Sequence, residues 1–177
     1  MSRKLILTFK HGRRIALAAM MARLIAARLP QDGTSRLLIP VPLHRRRLWH
    51  RGFNQAALLA RELGKLDQGQ VLVEGLIRKK RTPSLGGLGA KARRRALSGA
   101  IAVRPAAAAM IKGADVLLVD DVLTSGATSE ACVAALSKAG AKSVRIACFA
   151  RVLEEALDAV SVQKSETPGT ITVPGAA

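Results

Sequence analysis

Residues 116–128, VLLVDDVLTSGAT, restrict the possible folds of this chain more than any other stretch. Four apolar residues run directly into Asp120 and Asp121. A turn of small and hydroxylated residues follows, and then TSEACVAALSKAG (128–140), which has helical patterning closed by Gly140. A short, uninterrupted apolar run of this kind predicts a strand buried on both faces, over 115–120. Strand, tight turn and helix form half of a βαβ unit. A second strand pattern, KSVRIACFA (142–150), completes it.

The rest of the chain repeats that alternation. Residues 12–29 place Ile15, Ala18, Ala22, Ile25 and Leu29 at helical spacing before Pro30. RLLIPV (36–41) reads as a buried strand stopped by Pro40 and Pro42, and FNQAALLARELG (53–64) as a helix stopped at Gly64. VLVEGLI (71–77) is strand-like, 78–99 is a long basic and Gly-rich loop, AIAV (100–103) is extended, and 105–113 is ambiguous. A loop that long inside a compact domain usually has a function. Residues 161–177 have the composition of a loose tail after a domain spanning 1–160. Strands alternating with helices predict an α/β fold with a mostly parallel central sheet flanked by helices.

At 177 residues, one domain can bury a real core, and 49% hydrophobic content argues against general disorder. The longest apolar stretch is interrupted by Arg23 and Arg28, so it predicts an amphipathic helix and no membrane span. The first 29 residues contain no acidic residue, as a transit peptide would, but they fit equally well as a packed helix. Cys132 and Cys148 cannot make a zinc site alone and read as buried reduced thiols of a cytoplasmic protein.

The net charge of +17 suits an anionic partner, and its distribution says more than its total. HRRRLWHR (44–51) holds four arginines, and RKKRTPSLGGLGAKARRR (78–95) holds eight Lys/Arg with no acid. Together they carry 12 (4 + 8) of the 29 basic residues, in two loops punctuated by Pro and Gly.

In open parallel sheets, ligands sit beyond the carboxyl ends of the strands, where Asp120 and Asp121 are expected. The first amides of the following helix and its dipole make an anion site that needs no lysine. Thr124, Ser125 and Thr128 add hydroxyl donors, while Gly126 and Ala127 let the backbone approach closely. The Gly-Lys-Ser/Thr of a nucleoside-triphosphatase loop is absent. Two carboxylates beside a monophosphate cradle match a phosphorylated ribose, whose adjacent hydroxyls donate to the acids.

The same stretch resembles the phosphoribosyl-pyrophosphate (PRPP) motif of type I phosphoribosyltransferases. IPVPLHRRRLWHRGFNQAALLARELG (39–64) and RTPSLGGLGAKARRRALSGAIAV (81–103) resemble the ComF branch of that superfamily, which is associated with natural competence. The resemblance covers roughly residues 4–151 and implies a type I phosphoribosyltransferase-like fold. Asp120 and Asp121 would hold the ribose hydroxyls, and Thr124, Ser125, Gly126, Ala127 and Thr128 the 5′-phosphate. Leu43, His44, Arg45, Arg46 and Arg51 would face the pyrophosphate. Arg93 would close over the substrate as a catalytic arginine, with Arg94 and Arg95 beside it. Asn54 and Gln55 match the RGFNQ element.

The implied reaction transfers a phosphoribosyl group with release of pyrophosphate. Mg²⁺ would be carried mainly by PRPP near Asp120 and Asp121, with no direct protein ligand set. Implied partners are PRPP and, through the competence link, single-stranded DNA or competence proteins; a homo-oligomer stays open. The alternative is a non-catalytic DNA- or protein-binding adaptor on the same scaffold. Where relatives often carry Gln, Asn and Phe, this chain has Leu85, Ala96 and Ile101, changes that bear on turnover more than on PRPP binding. The cysteine-rich zinc module of many relatives has no counterpart in these 177 residues.

Overall fold

A computed structural model describes residues 16–43, 49, 52–79, 92, 95, 97, 99–124 and 126–151. Within them the chain forms α1 (Ala16–Ala26), β1 (Arg36–Pro40), α2 (Gln55–Lys65), β2 (Gln70–Val71), β3 (Leu76–Arg78) and β4 (Ile101–Val103). A 3₁₀ turn (Pro105–Ala107) leads into α3 (Ala108–Ile111), followed by β5 (Asp115–Leu123), α4 (Ala127–Lys138) and β6 (Ser143–Arg151). The expected α/β architecture is present. Four strands pair in the order β2-β1-β5-β6, all parallel, and β3 and β4 form a separate antiparallel hairpin.

β1 and β5 take the two central places because they are the most apolar segments. All five residues of β1 and Val116 to Val119 of β5 are buried. Alternation along the strands divides the core in two. On one face, Leu38, Leu117 and Val119 meet Ala18, Met21, Ala22 and Ile25 of α1 and Leu59 and Leu63 of α2. On the other, Leu37, Ile39, Val116 and Leu118 meet Cys132 and Leu136 of α4, with Leu76, Ile101 and Ile111. Each fully buried Leu or Ile here stabilises the fold by roughly 1.5–3 kcal/mol. The only charged residue buried in β1, Arg36, is satisfied by the carbonyl of Pro30 at 2.9 Å and by the carboxylate of Asp32.

Several boundaries differ from expectation. VLVEGLI is not one strand: Gly75 closes a turn onto Leu72 (3.2 Å), so β2 stays beside β1 while β3 leaves for the hairpin. Arg78 therefore ends β3 instead of opening the basic loop, and Lys79 continues the ladder to Ala100 (2.8 Å).

Gly64 does not stop α2. It lies inside the helix, where an added Cβ would collide with the Val71 side chain. The stop is Asp67, at φ +55°. Its N–H donates to Gly64 O (3.1 Å), and that of Gln68 to Leu63 O (3.1 Å). This is a Schellman closure with an aspartate in the left-handed position.

Residues 12–15 and the 161–177 tail lie outside the described residues. Among those described, no helix is long and apolar enough to cross a membrane.

The strand order positions the site. From β1 the chain crosses to β2 on one side, and from β5 it crosses to β6 on the other. The loops leaving β1 and β5 thus diverge at their carboxyl ends, and a crevice opens between them.

Candidate functional site

β1 and β5 start in register but do not end together. β1 stops at Pro40, opposite Val119, and the last link between them is Val41 N–H to Val119 O at 2.9 Å. Pro42 has no N–H with which to continue. β5 runs on to Leu123, held by β6 alone through Asp120 opposite Cys148, Val122 opposite Ala150 and Leu123 opposite Arg151. The carboxylate pair therefore does not end its strand, as expected from sequence. It lies within β5, just past the point where β1 turns away. The extension exists because β6, SVRIACFAR, is itself nine residues long.

Asp120 and Asp121 are both half-buried, and successive strand residues set out toward opposite faces. Asp121 N–H donates to Asp120 Oδ1 (2.9 Å) and Val122 N–H to Asp121 Oδ1 (3.0 Å), which fixes each carboxylate against the backbone. Both border one cleft of about 190 Å³. Pro42, Leu43 and Asn54 line it from the β1 side, and Thr124, Gly126 and Thr128 from the β5 side.

The helix start beside the acids is built for close approach. Gly126 is the N-cap of α4 at φ +73°, a left-handed conformation that L side chains adopt only with strain. It accepts Glu130 N–H at 2.8 Å but brings no side chain to the first-turn amides. Gly126 therefore leaves those amides and the helix dipole without a capping side chain from the N-cap position. Across the cleft, Asn54 caps α2 by accepting Ala56 N–H (3.1 Å) and donates Nδ2 to Val41 O (3.0 Å). One side chain thereby starts the helix and anchors the loop leaving β1.

Of the site residues expected from sequence, Leu43, Asp120, Asp121, Thr124, Gly126, Ala127 and Thr128 are described; all but Ala127 line the cleft. Ala127 is buried behind it, at the first position of α4. Ser125, His44, Arg45, Arg46, Arg51 and Arg93 lie outside the described residues, as do Leu85 and Ala96. Ile101 is buried in β4, inside the second core.

The cleft also takes in Asn54 and Gln55, expected only as part of the RGFNQ element, and Arg78 and Ser129, which were not expected as site residues. Arg78 had only a place in a basic run, and Ser129 only a helical pattern.

The thiols report the local field. Burial pushes Cys132 up to about 12, the Asp120 charge adds to that, and Arg78 opposes it. Burial also raises Cys148, which is half-buried where a fully buried residue was expected. Asp120 and Arg78, which both line the cleft, thus act in opposite senses on a thiol that α4 buries against the sheet.

A larger hollow of about 660 Å³ runs between β4 and the alanine face of α4, but it contains neither aspartate. The convergent polar groups belong to the smaller cleft. Among the described residues, no third His, Cys, Asp or Glu joins the pair to form a metal cage. Two carboxylates beside an anion cradle fit a cation that arrives on its own phosphate oxygens.

Comparisons with known proteins identify the family. Residues 50–172 match the phosphoribosyl transferase domain. The chain is 34% identical over 155 residues to the DNA utilization protein YhgH of Escherichia coli O157:H7, covering 84% of this chain and 66% of that protein. It is 34% identical over 157 residues to competence protein F of Haemophilus influenzae, covering 83% and 66% respectively. The chain thus spans just under two thirds of these relatives' length. Among solved structures, TT1426 of Thermus thermophilus aligns with a TM-score of 0.48 at 20% identity, covering 80% of this chain and 78% of that one. Hypoxanthine phosphoribosyltransferase of Trypanosoma cruzi aligns at 0.41 and 16%, covering 78% and 76%. The chain belongs to the phosphoribosyltransferase domain family, in the ComF branch that includes competence protein F.

Proposed function

We propose that the cleft binds PRPP and that the protein is a phosphoribosyltransferase releasing pyrophosphate. The observation that carries this is the convergence of an acid pair, an uncapped helix start and the loop after β1 on one crevice, where the strand order reverses. Asp120 and Asp121 accept hydrogen bonds from the ribose hydroxyls. Thr124, Ser125, Gly126, Ala127 and Thr128 wrap the 5′-phosphate. Leu43, His44, Arg45, Arg46 and Arg51 face the pyrophosphate, with the arginines supplying charge-assisted donors.

In the reaction, the acceptor's nucleophile bonds to the anomeric carbon as the bond to the pyrophosphate oxygen breaks, and pyrophosphate leaves with the electron pair. Mg²⁺, when bound with PRPP near Asp120 and Asp121, neutralises charge on the leaving group. The protein's own contribution is positional and electrostatic. The acids orient the ring, the α4 amides anchor its far end, and Arg93 closes over the substrate to exclude water.

The test is titration calorimetry with PRPP and Mg²⁺. The Asp120→Asn, Asp121→Asn double variant is expected to lose measurable PRPP binding while keeping its circular dichroism and melting profile. Unchanged affinity in that variant would discard the assignment.

A second reading, a DNA-binding adaptor on the same scaffold, draws on the relatives' names, DNA utilization protein and competence protein F. It also draws on Trp49, the sole tryptophan, which is 94% exposed and lies within the HRRRLWHR run. On this reading the partner is single-stranded DNA held through its phosphates. PRPP-dependent pyrophosphate release across a panel of bases favours the enzyme; salt-sensitive DNA retention without turnover favours the adaptor.

A further inference from the structure

Two polar side chains in the cleft are buried with an unmet hydrogen-bonding capacity. Gln55 is 2% exposed, and its Nε2 finds no hydrogen-bond partner among the described residues. Ser129 is 1% exposed, and its Oγ finds none either. Both line the cleft that holds Asp120 and Asp121, Gln55 from the first position of α2 and Ser129 from the third of α4. Buried polar groups in folded proteins are nearly always satisfied, and a group left without a partner destabilises the protein. Two such groups on separate helices, converging on one small cavity, mark a place where a ligand completes the hydrogen bonding. Their neighbour Asn54 marks the contrast, since its Nδ2 donates to Val41 O and its Oδ1 accepts from Ala56 N–H.

The chemistry of the pair is specific. An amide Nε2 only donates, so what it meets must be an acceptor oxygen; a hydroxyl both donates and accepts. The aspartates beside them only accept when ionised. The floor of the cleft therefore requires a ligand that offers hydroxyl donors and acceptor oxygens at close spacing. Inorganic phosphate offers its hydroxyl only on a compact anion, which two ionised carboxylates repel, whereas a phosphorylated pentose offers neutral adjacent hydroxyls with its phosphate held apart from them.

We propose that Gln55 and Ser129 are ligand-binding residues of this cleft, contacting oxygens of the phosphorylated pentose and selecting it over inorganic phosphate or pyrophosphate. This rests on the PRPP reading above. It adds one contact from α2 and one from α4, outside the loop that wraps the 5′-phosphate.

Gln55→Met keeps the length of the side chain and removes the donor; Ser129→Ala removes only the hydroxyl. Each is expected to weaken PRPP binding about tenfold, the worth of a hydrogen bond to a charged or strongly polar oxygen. Affinity for pyrophosphate with Mg²⁺ is expected to stay within about twofold, since neither group is placed on the pyrophosphate. Because the donor is unspent without ligand, apo Gln55→Met should melt at or above the wild-type temperature.

That combination, weaker ligand binding with undiminished stability, is not what a structural glutamine produces. If wild type binds PRPP and both variants bind it equally well, the two groups serve only trapped water, and this inference fails while the PRPP reading stands. A lowered melting temperature in apo Gln55→Met also overturns it, since the amide would then be paired within the protein. If wild type itself binds no PRPP, the reading of the site fails and takes this inference with it.

Discussion

At the scale of single residues, the cleft is a place where polar groups are held ready against strain and burial. Gly126 adopts φ +73° so that the α4 amides reach the cavity without a capping side chain. Cys132, further along the same helix, is completely buried in the core. Its thiol is pushed up to about 12 by burial first and by Asp120 second. The native state therefore holds that proton more tightly than the unfolded chain.

The associated stability is full below the ordinary thiol value of 9.0 and declines as pH rises from there toward about 12. We expect the urea midpoint to fall between about pH 9 and pH 11, and Cys132→Ala to flatten that fall despite its own packing cost. A second check is thiol labelling at about pH 8, below the ordinary thiol range, in which Cys148 reacts slowly and Cys132 reacts only after unfolding. Rapid labelling of Cys132 in the folded protein would contradict the burial on which this rests.

At the scale of elements, sequence reading succeeded where the signal was contiguous. The run into Asp120, the small-residue turn and the TSEACVAALSKAG pattern produced β5 and α4 within a few residues of expectation, because each depends on its own neighbours. It failed where packing between elements decided the outcome. Gly64 looks like a helix stop, yet it is a close-approach residue against Val71, and the left-handed residue that closes α2 is Asp67, three positions later. Nothing local distinguishes those two uses of glycine.

Asp67 in the left-handed region also leaves stability unclaimed. Asp67→Gly is expected to stabilise the protein by about 0.5–1 kcal/mol, since glycine adopts that conformation without steric cost. Chemical denaturation is the check, and a destabilised variant would indicate that the aspartate side chain matters more than its backbone. The β5 boundary follows the same logic. Two aspartates are poor strand formers, and they remain in β5 because β6 extends alongside them through Arg151.

At the scale of the whole molecule, charge and topology act on different things. The +17 charge has no part in choosing the fold; it sets which anions approach and how salt modulates them. Any binding of single-stranded DNA should therefore be driven by phosphate contacts. Its affinity is expected to fall steeply between about 50 and 200 mM salt, giving a straight line of log K against log salt. Fluorescence anisotropy with a labelled oligonucleotide measures it, and a salt-independent affinity would point to base stacking, for which Trp49 is the sole exposed aromatic among the described residues.

Topology, by contrast, makes the cleft. The local grammar of the site was legible in thirteen consecutive residues, because a buried strand, a carboxylate pair and a glycine-bearing helix start are properties of adjacent positions. That Arg78 and Ser129 would join Gln55 of the RGFNQ element in one cavity with those carboxylates was not. They come from α2, β3 and α4, and meet only because β1 and β5 lie side by side while their connections leave in opposite directions. Which groups share a cavity is set by strand order and strand length. Both depend on burying apolar faces against distant parts of the chain, and no short window of sequence contains that information.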